Sequence, residues 1–134
     1  MDEKCFKLFI KLIHEEIMEK VVHYTKIENE LVEAEGAHET YVRWLITDKD
    51  GAPNFAMRLF EIKPGGNSPY HEHPYEHEIF ILDGDGKAII DGREYTVSKG
   101  FAIYIPPNVK HTIINNGKND LKFLCIIPLT TKRK

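Results

Sequence analysis

Short runs of β-forming residues, separated by turn residues at roughly ten-residue intervals, fill the chain from about residue 40 onward. No helical pattern lies between these runs, which excludes the parallel βαβ sheets of nucleotide-binding folds. Asp91-Gly92 separates two of the runs and predicts a type I′ hairpin. We therefore predict an all-β fold, an antiparallel sandwich or barrel. The predicted strands are Tyr41–Thr47, Asn54–Lys63, Ile79–Leu82, Lys87–Ile90, Arg93–Val97, Phe101–Ile105, His111–Asn115 and Leu121–Ile127.

Residues 3 to about 22 predict one amphipathic helix, because apolar residues recur there at helical spacing. Acidic and basic residues nearly balance on its other side, which favours packing on the barrel or on a partner subunit over a membrane surface. We expect an N-terminal helical extension at residues 1–24 and a β domain at residues 25–134. Met18 is an alternative start of the biological protein.

Size and charge narrow the classes of function. A chain of 134 residues is one domain of usual size, and its net charge of −3 argues against binding nucleic acid through bulk positive charge. No apolar run approaches the roughly 20 residues that span a bilayer, and no secretory signal is visible, so we expect a cytoplasmic protein. Cys5 and Cys125 lie at opposite ends of the chain and offer neither a disulfide framework nor a cysteine zinc site.

Four histidines form the main candidate site. His71 and His73 are two residues apart and project to one side of an extended chain, and His77 keeps the same parity. His111 lies in a distant run and would complete a set of four. An isolated His-x-His pair is often an exposed feature without a ligand. Together with His77 and His111, however, the pair predicts a divalent-metal site. The remaining histidines are interpreted as surface or packing residues: His14, His23 and His38.

Two motifs resemble those of the cupin superfamily. The first is Gly65, five residues, His71-x-His73, three residues and His77. The second is Gly100, five residues, Pro106-x-Asn108, two residues, His111, three residues and Asn115. Together they cover roughly residues 40–128. The resemblance implies a small jelly-roll β-barrel with one metal between its sheets, commonly as a homodimer.

The departures from this pattern concern two positions. Asn108 stands where the family usually has glycine, and asparagine is the next best residue for a left-handed turn. His77 stands where the family usually has glutamate, and Glu78, one position later, is the alternative ligand. We favour His77, because the sequence around it resembles a subgroup of small cupins that hold manganese with four histidines. Iron, nickel, zinc and copper are alternatives, since imidazole alone does not choose among them.

Candidate residues around the metal are less specific. Arg58 lies in an apolar run, where it could hold a substrate carboxylate or could face outward and pair with an acid. Phe123 and Cys125 have odd numbers, as His111 has, and in the similar subgroup these positions line the pocket. Cys125 is either an inert buried thiol or a redox group. Trp44 and Phe60 are interpreted as core. Acceptors for the second N–H of each histidine are not assigned, although three candidates lie nearby in sequence: Glu76, Glu78 and Asn115.

The resemblance implies a metal-dependent oxidoreductase of the dioxygenase type, acting on a small molecule at a manganese or iron centre. A non-catalytic cupin that binds a metal or a small ligand is one alternative. Sugar-phosphate isomerisation is another, although a lysine and carboxylate set for proton transfer is not evident. We expect a homodimer with a small-molecule partner, and neither nucleic acid nor membrane as a partner.

Overall fold

A computed structural model of the chain describes residues 2–5 and 19–129, and these residues form a predominantly β structure. Two short 3-10 turns, Tyr24–Lys26 and Asp48–Asp50, accompany the strands. The strands are β1 (Glu30–Leu31), β2 (His38–Ile46), β3 (Phe55–Asn67), β4 (His77–Asp83), β5 (Asp85–Ile90), β6 (Arg93–Ser98), β7 (Ala102–Ile105), β8 (His111–Ile114) and β9 (Leu121–Pro128).

The strands form one curled antiparallel sheet, which confirms the predicted all-β barrel. Along the main path the order is β6-β5-β8-β3-β9-β4-β7, and β2 lies on the other side of β3 with β1 beside it. Burial alternates along the central strands, as expected where one face of a sheet packs on a core. The largest fully buried side chains include Ile62, Ile81, Ile105 and Leu121.

The long strand β3 extends further than the sequence predicted. Its first part pairs with β9, and after Pro64 it bends and bonds to the end of β8 through the N–H of Gly65 and the carbonyl of Gly66. Gly65 has a φ of 84°, and a Cβ on Gly66 would lie 2.5 Å from the carbonyl oxygen of His38. The strand therefore continues through these two glycines, because Gly65 takes a left-handed φ that glycine favours and Gly66 leaves no room for a Cβ.

Two turns agree with the sequence predictions. Asp91 and Gly92 have φ values of 52° and 76°, as a type I′ hairpin requires, and they join β5 to β6. Asn108 has a φ of 63°, so asparagine takes the left-handed position of the second motif. Its N–H donates to the carbonyl of His73 at 2.8 Å and connects the two motifs directly.

Only the two ends of the predicted N-terminal helix lie among the described residues. Residues 3–5 are helical and residues 19–23 are not, whereas residues 6–18, with His14, lie outside the described residues, as does the C-terminal segment 130–134. Lys20 explains where the prediction was too long, because its ammonium group donates to the carbonyl of Leu45 at 2.8 Å and pairs with Asp50 at 3.0 Å. These contacts hold the segment against the barrel. Within the described part of the chain, no helix has the length and apolarity to cross a membrane.

Candidate metal centre

The sheet brings two of the candidate histidines together through their backbones. His71 and His111 form an isolated antiparallel bridge, with N–H to carbonyl distances of 3.1 and 2.9 Å in the two directions. His111 begins β8 and is 6% exposed, whereas His71 lies on an exposed loop at the rim. The bridge joins backbone groups alone. It therefore fixes the spacing of the two residues independently of their imidazole rings.

His73 and His77 complete the cluster. The ligand atoms of His71, His73 and His111 lie within 4.8 Å of one another. His77 begins β4 on its buried face, with its ring centroid 4.6 Å from that of His73 and 5.0 Å from that of His111. His77 therefore lies beside the group of three, close to the rings of His73 and His111.

Main-chain carbonyls set the tautomers of two of these rings. His73 Nδ1 donates to the carbonyl of Tyr75 at 2.9 Å, and His111 Nδ1 donates to the carbonyl of Val109 at 2.8 Å. Each ring, when neutral, thus has its lone pair on Nε2. These acceptors are not the Glu76, Glu78 or Asn115 that lay nearby in sequence. Asn115 instead bonds to backbone groups, and Glu78 is exposed on the opposite face of β4 from His77.

His77 has a different environment from the other three. Its Nε2 lies 2.7 Å from Nε2 of His73, and its Nδ1 lies 2.8 Å from Sγ of Cys125 and 3.2 Å from Nη2 of Arg58. Two lone pairs at such a distance repel, so either a proton on His77 Nε2 or a cation must lie between the rings. If His77 offers its Nε2 lone pair to a cation, its proton sits on Nδ1, where Cys125 Sγ is the acceptor within reach.

Loss of solvent keeps these imidazoles neutral. Burial, followed by the charge of Arg58 and by the other rings, lowers the pKa of His77 to about 2. Burial also lowers the pKa of His111. Partial desolvation, followed by the neighbouring rings, lowers the pKa of His71 to about 4 and also lowers the pKa of His73. A metal needs such neutral donors, because a protonated ring nitrogen has no lone pair to share. The four residues therefore fit a divalent first-row metal.

Arg58 is buried beside the cluster and is 8% exposed. Its Nη2 donates to Cys125 Sγ at 3.0 Å, its guanidinium lies 5.3 and 4.8 Å from the ring centroids of Trp44 and Phe60, and its buried Nε has no hydrogen-bond partner. No salt bridge joins it to a carboxylate of the described residues. The structure thus places Arg58 inward, with an unsatisfied donor and without a carboxylate partner among the described residues.

A cavity of about 230 Å³ adjoins the histidines. All four rings line it, as do Arg58, Phe123 and Cys125. Trp44 and Phe60 line it too, and the interpretation of Trp44 as core is wrong, because its side chain is 39% exposed. Sequence reasoning missed Tyr75, whose ring stacks on His73 with centroids 3.8 Å apart; its place two residues after His73 was the only signal.

Comparison with known proteins decides the family. Residues 58–127 match the model of the cupin domain, which is more than half of the chain. The chain is a cupin. Its structure is similar to that of the polyketide cyclase RemF from Streptomyces resistomycificus, with a TM-score of 0.78 and 38% identity over 83% of this chain and 80% of that one.

Two curated relatives of this cupin match over shorter stretches. An uncharacterized protein of Methanocaldococcus jannaschii is 42% identical over 62 residues, which are 46% of this chain and 50% of the relative. The oxalate-binding protein of Thermotoga maritima is 34% identical over 76 residues, 54% of this chain and 63% of the relative. The cupin therefore spans one half to just under two thirds of these two relatives. Relatives of the family have varied functions, and the histidine cluster in a cupin fold indicates a divalent-metal site.

The acid stability of the metal-free cupin tests the neutral state of the buried rings. His77, with its pKa lowered to about 2, stays neutral in the folded protein at about pH 5, whereas histidines of an unfolded chain become protonated below about pH 6.5. Unfolding then takes up protons, so stability is complete above about pH 6.5 and falls as the pH drops toward the lowered pKa values. We expect urea unfolding to show a loss of about 2 kcal/mol or more between about pH 7.5 and pH 5.

Two glutamine variants control this measurement. His77→Gln should remove a large part of the pH dependence, since the pKa of His77 is lowered to about 2 and its proton-binding site disappears from the unfolded chain. His23→Gln changes an exposed histidine and should leave the pH dependence as it is. A flat profile in the unaltered protein, or equal effects of the two variants, would contradict the assignment.

Proposed function

We propose that this cupin is a metal-dependent oxidoreductase of the dioxygenase type, which acts on a small molecule at a manganese or iron centre. His71, His73, His77 and His111 would hold the metal. The observation that carries the proposal is the group of His71, His73 and His111, whose ligand atoms lie within 4.8 Å of one another, with His77 Nε2 2.7 Å from His73 Nε2. These rings line a cavity that Arg58 also lines. Manganese is preferred over nickel, zinc and copper because of the resemblance to cupins with four-histidine manganese sites.

Each part of the site has a distinct task in this proposal. When bound, a six-coordinate manganese or iron ion supplies Lewis acidity and two coordination positions for a chelating substrate or dioxygen. The histidines hold the ion as neutral donors, so they do not reduce its charge. Arg58 binds an anionic oxygen of the substrate, and Phe123 contributes to an apolar wall that excludes water and strengthens this ion pair.

Metal analysis tests the proposal directly. Protein purified without added metal should contain close to one manganese or iron ion per chain, and His77→Ala should lower this occupancy. Glu78→Ala is the matched control, because Glu78 follows His77 in β4 but is exposed on the opposite face. Full occupancy in His77→Ala would contradict the four-histidine set. Oxygen uptake with a panel of small carbonyl compounds then tests the dioxygenase reaction.

A non-catalytic cupin that binds a metal or a small ligand is the second candidate. It is favoured by the similarity to a relative named as an oxalate-binding protein. Tight ligand binding without oxygen uptake across the panel would support it. Sugar-phosphate isomerisation is less well supported, since the residues that line the cavity include neither a lysine nor a carboxylate to move protons.

Three further parts of the proposal rest on sequence and family resemblance. They are a homodimer, a cytoplasmic location, and a division into an extension at residues 1–24 and a β domain at residues 25–134. Light scattering of the purified chain tests the first, and a dimer mass is the expected result.

Cys125 is expected to position His77 for metal binding. Its Sγ is the acceptor for a proton on His77 Nδ1, because Arg58, the other neighbour, can only donate. Cys125→Val removes the acceptor and should weaken metal binding about tenfold or more, whereas Cys125→Ser keeps an acceptor and should retain most of the affinity. A competition assay with a chelator measures both.

The exposed Cys5 provides the control for the effect of removing a thiol on metal affinity. Cys5→Ser should not change the metal affinity. If Cys125→Val binds metal as tightly as the unaltered protein, then Cys125 does not position His77 and the ring is held by packing alone.

A further inference from the structure

The walls of the cavity are mainly apolar. Beyond the histidines, the residues that line it include few polar groups, and Arg58 is their single formal charge. Ser68 and the Tyr75 ring carry the neighbouring hydroxyl groups. The apolar lining residues include Val32, Val42, Trp44, Phe60, Ile113 and Phe123. A sugar needs a hydrogen-bond partner for each hydroxyl that it buries, and this wall does not supply them.

Aromatic rings form much of this wall. Phe60 and Phe123 stack with their ring centroids 5.2 Å apart and an interplanar angle of 15°. Trp44 lies beside Arg58, and Tyr75 covers His73. Aromatic side chains favour flat apolar partners through offset stacking and edge contacts. This wall therefore matches a ring or a conjugated chain better than a small, fully hydrated dianion.

Size and charge complete the description of the ligand. The cavity of about 230 Å³ is smaller than the roughly 300–1,000 Å³ of typical small-molecule sites, so it suits a compound of about one or two rings. One buried guanidinium with an unsatisfied Nε balances one negative charge. In the metal-free site a second carboxylate would find no further cation among the lining residues, at a high cost in desolvation.

We infer that the ligand of this site is a flat, mainly apolar carbonyl compound with a single acidic oxygen group, in contrast to a sugar phosphate or a small dicarboxylate such as oxalate. Its acidic group lies against Arg58, and its ring or conjugated body lies against Trp44, Phe60 and Phe123. This inference deepens the proposed function and rests on it for the metal. The apolar walls and Arg58 are present with or without an ion.

Calorimetric titration with three probes tests the inference: salicylate, oxalate and mannose 6-phosphate. For the metal-free protein we expect salicylate to bind at least about tenfold more tightly than either other probe. Equal or tighter binding of oxalate or of mannose 6-phosphate to the metal-free protein overturns the inference. The same titrations after loading with Mn²⁺ test the proposed function separately. A protein that takes up no metal contradicts the metal centre. The preference among the three probes then still decides the ligand class.

Variants of single residues locate the binding. Phe60→Leu should weaken salicylate about fivefold or more with little change for oxalate, whereas Phe101→Leu, an exposed aromatic outside the cavity, should change neither. Arg58→Met should weaken both anions. If Phe60→Leu fails to fold, Trp44→Leu serves in its place, since Trp44 is partly exposed. Equal weakening of salicylate and oxalate by the wall variants, or none, contradicts the proposed contact with a ring.

Discussion

Replacing His111 by alanine is expected to lower the affinity for a divalent metal by at least about 100-fold, because a lost ligand should cost more than a lost partner of a ligand. The ring of His111 is close to all three others: its centroid lies 5.1 Å from those of His71 and His73 and 5.0 Å from that of His77. Titration against a chelating competitor measures the change.

The fold should survive this substitution. The bridge between His71 and His111 uses backbone groups alone, so alanine keeps it. The circular dichroism of His111→Ala should therefore match that of the unaltered protein. His38→Ala is the control, since His38 is an exposed histidine of β2 that does not line the cavity. Metal affinity that is unchanged in His111→Ala, with the fold intact, would refute a metal centre at this cluster.

The second large effect concerns stability and Asn115. Its side chain is fully buried: the amide nitrogen donates to the carbonyls of Ile62 and Asn119 at 2.7 and 2.8 Å, and the amide oxygen accepts from Gly117 N at 2.9 Å. Asn115→Ala leaves the carbonyl of Ile62 without this partner inside the barrel. We expect the free energy of unfolding to fall by about 3 kcal/mol, as measured by urea denaturation.

Asn116 is the matched control for this stability measurement. It is the next residue, it has the same side chain, and it is exposed. Asn116→Ala should change the free energy of unfolding by no more than about 0.5 kcal/mol. Similar losses in the two variants would show that the buried amide of Asn115 contributes no more to the free energy of unfolding than an exposed one. Neither variant should change metal affinity, since Asn115 bonds to backbone groups away from the histidines.

Local chemistry made much of the fold predictable. The alternation of apolar residues marked most strands, and Asp91-Gly92 specified its hairpin because both residues take positive φ. The sequence could not show that β3 continues through Gly65 and Gly66, since glycine both ends strands and bends them. The outcome depends on the approach of His38, which is distant in sequence.

The candidate site was predictable to a similar degree. The spacing of His71 and His73 indicated shared orientation, and His111 was predicted to complete the set from a distant strand before the family resemblance supported it. The direction of Arg58 remained open in sequence, because a strand residue can face either way until the partners of the sheet are known. The acceptors for His73 and His111 are backbone carbonyls, which no side-chain pattern can indicate.

The backbone bridge between His71 and His111 has a consequence for how the protein acquires its metal. During synthesis the first three histidines leave the ribosome well before His111, so a partial chain offers an incomplete and unshaped set of donors. Metals that bind nitrogen most avidly, such as copper, gain their advantage wherever donors are free to rearrange. We therefore expect a metal to bind only after tertiary folding has brought the last ring into place, so that the ions present where the chain folds would select the one that it keeps.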